Sequence, residues 1–570
     1  MSEPPTSLPQ VEVAVSWSGS ALRWARLDAD GRVVDSGATE VTDDGGWVAV
    51  LAGLEQQRPR WVWADSRPLV PHLLAAGLRL RRCHDLRLCR AVLSRSERCR
   101  WTDETPWHTP DTPPDDGAPS LLDLPQLATG PSLEEVVAEY ARQRAVLAAA
   151  DQPGRLRLLL AAESAGALVA AELKADGMPW SREVHDAELR RLLGAPGAFG
   201  ARPERLETLV AEIRELLHAP RLNPDSQPEL LQALRAAGLG VQSTRQHELE
   251  QLDHPVVGPL LEFKKLARLL TANGWHWLDT WVHVEPDVTG VPRGRFRPDY
   301  VVAGVVTGRW ATNGGGALQL PRQIRRAVVA DPGHRLVVAD ASQLEPRILA
   351  AMSGDDAMAR AGAGADLYAG LVADGVVASR AEAKVAMLGA LYGATSGESG
   401  RLMPRLQRVY PRAVALVEQA ARTGEAGGRV TTWLGRSSPP PSEADWTAVG
   451  GEVGPADLDV ADRADARRRA RDWGRFTRNF VVQGTAAEWA LCWLAGLRTR
   501  LWSLGGDGPP ARLAYFLHDE VVVHAPEPLT EAVVAAVHDA AAEATGLLFG
   551  ATAVEFPLQV AVVEHYGQAK

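Results

Sequence analysis

Lysine is nearly missing from this chain. Only Lys174, Lys264, Lys265, Lys384 and Lys570 carry it among 570 residues, and arginine supplies the other cations. Where arginine is habitual, Lys384 marks a place that wants a compact ammonium and not a planar fork. Cysteine is equally sparse: Cys83, Cys89, Cys99 and Cys492. Three of them lie near His84, but no zinc-type spacing pairs them, which leaves free thiols in a reducing compartment as the expectation. No apolar run reaches membrane length, and the N-terminus has no charged-then-apolar leader, so a soluble cytoplasmic protein without membrane contact is expected. Positive charge is also in deficit. A net charge of −10 argues against nucleic-acid binding by the bulk surface and leaves only local patches. Arg322, Arg325 and Arg326 form one such patch. A second runs through Arg463, Arg467, Arg468, Arg469, Arg471, Arg475 and Arg478. Interleaved Asp462, Asp465 and Asp472 leave a merely solvated helix face open there.

Against that background, His334 to Arg347 stands out. Leu336 to Ala339 reads as a buried strand that delivers Asp340 at its end, and a helix begins near Gln343. A carboxylate at a strand end binds metal while its backbone stays rigid, as phosphoryl transfer requires. Alone, such an Asp is more often a helix cap. A second acid lies in Ala514 to His524, where two apolar runs flank His518-Asp519-Glu520 and predict a β-hairpin with acids at the turn. Between them, Ser379 and Glu382 form a capping-box pattern that starts a helix. Arg380, Lys384, Leu388 and Tyr392 then recur every fourth residue and share one face. Two cations, an apolar residue and a ring in that order suit a nucleoside triphosphate laid along the helix.

These three stretches resemble motifs A, B and C of the family A DNA polymerases. Thr307-Gly308-Arg309, Arg429 to Arg436 and Arg475 to Ala487 agree with that family too, so the resemblance covers roughly 160–570. It implies a multidomain α/β chain: a ribonuclease-H-like 3′–5′ exonuclease fold at 1–150, a connecting helix and thumb at 151–275, and palm at 276–355. Fingers at 356–428 and a second palm segment with an antiparallel sheet at 429–570 would follow. The implied reaction is template-directed addition of dNTPs to the 3′ end of a primer on primer–template DNA, by a monomer, in repair or replication.

The resemblance also assigns roles. Asp340 and Asp519, with the carbonyl of Ala341, would hold two Mg²⁺ ions, for which Mn²⁺ is a substitute. Arg380 and Lys384 would neutralise the phosphates. Glu345 would crowd the sugar 2′ position; Gln343, Leu388, Tyr392 and His518 would complete the dNTP site, and Glu520 is a weaker neighbour of the metals. Arg309, Arg475, Asn479, Gln483 and Lys264 would touch DNA, the minor-groove donors sensing acceptors common to all base pairs.

The chain departs from the family in four respects. Leu388 stands where the family has Phe or Tyr, so Leu388→Phe is expected to tighten dNTP use unless neighbours fill the space. Ala341 replaces a frequent Tyr. Val13 to Ser18, Leu69 and Arg144 occupy the places of exonuclease carboxylates, so proofreading is not expected, and no 5′-nuclease domain is expected either. Residues 437–470 read as a surface insertion, and 102–119 as an acidic loop. A DNA-binding repair scaffold with little synthesis is the alternative; a related RNA polymerase is disfavoured by Glu345.

Overall fold

Strand β1 (Glu12–Ser18) shows how the N-terminal region buries both faces of a sheet. Its Val13, Val15 and Trp17 enter one apolar cluster with Leu51, Trp61 and Leu69, while Ala14 enters another with Val62, Val136 and Tyr140. A period of two sends successive side chains to opposite faces, so apolar residues must fill both sets of positions. β1 pairs antiparallel with β2 (Ala21–Leu27), and β2 with β3 (Val33–Glu40). β4 (Arg60–Trp63) runs parallel to β1, and β5 (Cys83–Asp85) parallel to β4. The order is therefore β3-β2-β1-β4-β5. Helices Gly46–Glu55 and Ser66–Ala75 cover one face, and helix Leu133–Ala148 covers the other.

The structure is a computed structural model. It describes residues 11–18, 21–41, 46–102, 107, 130–197, 200–286, 290–364, 366–393, 397–441, 460–505 and 510–569. The acidic stretch at 102–119 lies almost wholly outside them. The chain divides into two compact units: 1–176, 299–313 and 337–561 form one, and 177–298, 314–336 and 562–570 form the other. These units cut across the boundaries expected at 150 and 275.

In the second unit, β6 (Met178–Trp180), β7 (Val282–Pro286) and β8 (Pro292–Phe296) form a sheet in the order β6-β8-β7. The rings of Trp180, His185, Trp277 and Phe296 cluster there with centroids 5.0 to 5.6 Å apart. Helices Arg182–Leu193, Glu204–Leu216, Gln227–Ala236 and Val257–Asn273 make up most of the rest. The helices break at Asn223 to Ser226, between Glu204–Leu216 and Gln227–Ala236. The chain also stops at Gly194 (φ 80°) and Gly238 (φ 82°), because a left-handed residue ends a helix.

In the first unit, β9 (Tyr300–Val301) pairs with β10 (Ala311–Thr312). A four-stranded sheet follows: β11 (His334–Ala341), β12 (Arg512–Leu517), β13 (Glu520–Pro526) and β14 (Leu558–Val563), in the order β12-β13-β11-β14. The described residues between 356 and 425 are mostly helical, in helices that include Leu367–Ala373, Arg380–Tyr392 and Pro411–Glu425. The 44-residue helix Val460–Ser503 is the core of this unit. It lies so close to Pro411–Glu425 that a Cβ on Gly424 would come within 2.1 Å of the Thr477 hydroxyl oxygen.

Two expectations need correcting here. Of the proposed insertion at 437–470, residues 442–459 lie outside the described residues, but from Val460 the chain is already helix. Its arginine-rich end is thus the start of the core helix, built from good helix formers with no Gly or Pro to stop it. Among the described residues, two helices also reach the length and composition of a membrane span, Asp465–Ser503 and Glu527–Phe549, where no apolar run of that length is expected from the sequence. In the first, 83% of the apolar window is buried inside the protein, as the core position demands.

Candidate active site

The two motif acids meet through the backbone. Asp340 is the penultimate residue of β11, and Asp519 sits in the two-residue turn between β12 and β13, where Leu517 pairs with Glu520. The N–H of Ala341 donates to the carbonyl of Asp519 at 2.8 Å. Both acids are half-buried. The residue before Asp519, His518, has φ 55°, and Gln343, just after the Asp340 strand, also has φ 55°. Left-handed backbone at a non-glycine residue costs about 1–3 kcal/mol and is held only where surrounding structure over-determines it. The tight hairpin imposes it on His518. At Gln343 it turns the chain from β11 into helix Leu344–Ser353.

Beside these acids lies a cavity of about 280 Å³. Arg309, Glu345, Leu388, Tyr392, His518 and Asp519 line it, together with Tyr368 and Phe516. Glu345 is its electrostatic centre. It forms an ion pair with Arg309 and accepts from the Tyr392 hydroxyl at 3.2 Å. Burial raises the Tyr392 pKa and the nearby Glu345 charge raises it further, so the phenol stays a donor. Gln483 accepts from the Thr307 hydroxyl at 3.1 Å. Burial depresses His518 to a pKa of about 4, and the positive Arg309 pushes the same way, so its imidazole is neutral at ordinary pH.

Helix Arg380–Tyr392 presents the expected face. Arg380, Lys384, Leu388 and Tyr392 are all exposed, whereas Ala383, Ala386, Met387 and Ala390 are buried. Ser379 caps the helix by accepting from the Glu382 N–H at 3.2 Å. Glu382 completes only a displaced box, accepting from Ala378 at 2.7 Å instead of from Ser379. Gly393, with φ 70°, ends the helix.

Other predicted residues have partners within the fold, and of these Gln343 also lines the cavity. Gln343 is committed to its own scaffold: its amide donates to Asp366 at 2.7 Å and accepts from the Leu367 N–H at 2.7 Å. Lys264 donates to the Thr244 carbonyl, so the exposed ammonium of that pair is Lys265. Glu520 is only 2% exposed and faces the interior. Arg475 is exposed and paired with Asp472, and Asn479 is half-buried on the same helix.

Asp366 and Arg347 are functional neighbours that the sequence alone does not single out. Asp366 accepts from Arg380 at 2.6 Å and from Gln343, and caps helix Leu367–Ala373 through Tyr368 and Ala369. A helix-capping Asp followed by an apolar run is visible in the sequence; its ion pair is not. Arg347 is fully buried and donates to the carbonyls of Ser342, Gly362, Gly364 and Glu555. An arginine one turn into an apolar helix is its only signal.

Chemically, the acids and the Ala341 carbonyl offer hard oxygen donors of the kind Mg²⁺ takes. Among the described residues no group of three or more His, Cys, Asp and Glu that could hold a metal comes together.

Comparison with known proteins points the same way. Residues 201–568 match the profile of DNA polymerase family A. The DNA polymerase I of Chloroflexus aurantiacus is 29% identical over 333 residues, which is 54% of this chain and 32% of that protein. The thermostable DNA polymerase I of Thermus thermophilus is 28% identical over 433 residues, covering 67% of this chain and 47% of that protein. The chain thus spans less than half the length of these relatives. Among solved structures, the polymerase domain of Pol1 from M. smegmatis, in complex with DNA primer–template and dNTP, superposes with a TM-score of 0.66 at 19% identity. That match covers 98% of this chain and 96% of the other, and shows a shared fold.

Proposed function

The chain belongs to DNA polymerase family A, and on that premise we propose that it extends a primer 3′ end on a DNA template, taking dNTPs as substrate. One observation carries this reading: the strand end of Asp340 and the turn of Asp519 are tied by the Ala341–Asp519 backbone bond beside a cavity lined by Leu388 and Tyr392, on the same helix face that carries Arg380 and Lys384 toward its N-terminus. Two Mg²⁺ ions, when bound by Asp340, Asp519 and the Ala341 carbonyl, supply charge neutralisation and a more acidic primer hydroxyl.

The protein's own groups do the positioning. Arg380 and Lys384 lie at the phosphate end of the face. Glu345, held by Arg309 and Tyr392, stands against the sugar and disfavours a 2′-hydroxyl. His518, neutral and held in its strained turn, supports the primer terminus. Arg309, Gln483, Asn479 and Arg475 meet the duplex. The sheet at β11–β14 acts as palm, helices 356–425 as fingers, and the helices of 182–273 as thumb.

The β3-β2-β1-β4-β5 order supports a ribonuclease-H-like origin for the N-terminal sheet. Its chemistry is spent. Leu69 and Val13 are core residues. The β1 acid Glu12 accepts from the Tyr140 hydroxyl at 2.6 Å and pairs with Arg144 at 3.5 Å. Asp65 is held by Arg67 and Arg87. This sheet therefore serves as scaffold, and the protein works without proofreading as a monomer in the cytoplasm, at the nucleoid.

Primer extension with dNTPs, and separately with rNTPs, is the test. Extension with dNTPs is the expected outcome. DNA binding without extension would favour a repair scaffold instead, and preference for rNTPs an RNA polymerase.

A further inference from the structure

The nucleotide-facing helix has a gap in its chemistry. Arg380 and Lys384 suit phosphates and Tyr392 suits a base, but Leu388 between them is aliphatic, and at 38% exposed it leaves a bare apolar step in the cavity wall. A nucleoside offers one flat surface, its base, beside a compact sugar, and an aromatic ring packs against either better than a branched aliphatic chain does. The neighbouring helix supplies one. Tyr368, in the first turn of Leu367–Ala373, lines the same cavity as Leu388, and it is only 8% exposed.

Its surroundings fix where the ring lies. The Arg380 guanidinium sits 5.5 Å from the ring centroid. Burial raises the pKa of the phenol; after that the charges it feels are those of Glu345, Arg380, Asp366 and Tyr392. The ring thus sits under the Arg380 guanidinium and lines the cavity that Glu345 also lines. Asp366 holds the backbone of this turn by accepting from the Tyr368 N–H at 3.0 Å, and it holds Arg380 as well.

We propose that Tyr368 is a specificity-determining residue of the nucleotide site, its ring supplying from Leu367–Ala373 the flat contact that Leu388 does not make from Arg380–Tyr392. The inference rests on the polymerase reading of this cavity and deepens it. Both residues line the same cavity, so a ring added at 388 would enter space that Tyr368 also borders, and the two positions are expected to be coupled. Neighbouring sites that share a cavity are where additivity fails.

The experiment is steady-state primer extension by the full chain, with primer–template affinity measured on the same preparations. Wild type, Tyr368→Phe, Tyr368→Leu, Leu388→Phe and the double variant Tyr368→Leu/Leu388→Phe are compared. Tyr368→Leu should raise the dNTP KM about fivefold, the scale of one aromatic contact, with kcat within about twofold. Tyr368→Phe keeps the ring and should stay within about twofold of wild type. Leu388→Phe should gain under about twofold alone but restore most of the loss in the double variant. An unchanged KM in Tyr368→Leu, or an equal gain from Leu388→Phe in both backgrounds, overturns the proposal. If Tyr368→Leu fails to fold, Leu388→Phe alone decides. A KM lowered about fivefold in the wild-type background would then show that no ring occupies the space. Wild type that binds primer–template but never extends it would overturn the polymerase reading, and this inference with it. Extension with an indifferent Tyr368 overturns the inference alone.

Discussion

The N–H of Ala341 donates to the carbonyl of Asp519 at 2.8 Å, so the strand end that carries Asp340 and the turn that carries Asp519 are one rigid unit. Truncating either carboxylate leaves that backbone bond intact. Asp340→Ala and Asp519→Ala should therefore keep their fold and most of their affinity for primer–template. Their extension rate should fall by about a thousandfold or more, the mark of an interaction made in the transition state and not in DNA binding. Single-turnover extension and a parallel binding titration check this. Either variant extending within about tenfold of wild type would remove the assignment.

The N-terminal sheet makes a separate prediction. With Glu12 engaged by Tyr140 and Arg144, and Leu69 in the core, a primer incubated with Mg²⁺ and no dNTPs should not shorten from its 3′ end. A labelled primer resolved on a gel decides it. Shortening that persists in Asp340→Ala would place a working nuclease in this domain.

The active-site frame is legible in the sequence because its signals are local. A buried strand ending in an acid, a hairpin with acids at the turn and a fourfold-spaced helix face each follow from backbone periodicity, and β11, β12–β13 and Arg380–Tyr392 are where these patterns put them. The placement of Gln343 and Lys264 is not legible. Each has a polar end that could reach a substrate, and each is spent on a partner brought near only by folding, Asp366 in one case and the Thr244 carbonyl in the other. Nothing in local sequence separates a lysine that donates to a backbone carbonyl from its exposed neighbour Lys265. The start of the long helix is obscured for a different reason: its interleaved Arg and Asp read as a solvated helix face, but they follow a Pro-rich and acidic stretch and so also read as the end of a surface insertion.

Asp366 ties capping to electrostatics, and two substitutions separate them. Asp366→Ala loses the side-chain cap of Leu367–Ala373 and should cost about 1 kcal/mol of stability. Asp366→Asn keeps a capping oxygen but drops the charge that pairs Arg380. Freed of that pair, Arg380 should meet the triphosphate more readily, lowering the dNTP KM by about two- to fivefold, the modest worth of an exposed ion pair. Thermal melts and steady-state kinetics on both variants test this. A KM for Asp366→Asn no different from wild type would mean Arg380 does not reach the phosphates from this position.

Glu488 predicts a pH dependence of stability. It is 1% exposed on helix Val460–Ser503, accepting from the Thr432 hydroxyl and from the Leu434 N–H at 2.9 Å. Burial pushes its carboxyl up to about 7 from an ordinary 4.5, against the pull of those hydrogen bonds and of Arg436 and Arg98. The folded state thus holds a proton that the unfolded chain has released between pH 4.5 and 7. Stability contributed by this group is full below pH 4.5, is lost as pH rises through that window, and is constant above it. Each tenfold difference in proton affinity between the folded and unfolded chain is worth about 1.4 kcal/mol, so the loss is on the order of 3 kcal/mol. Glu488→Gln stays neutral, and its amide can donate to the Thr432 oxygen while its carbonyl accepts from Leu434. The variant should therefore match wild type at pH 4.5 to 5 and exceed it at pH 8. Melting temperatures of both proteins across this range are the measurement. Parallel curves, with no widening gap toward pH 8, would show that Glu488 enters the fold already ionised.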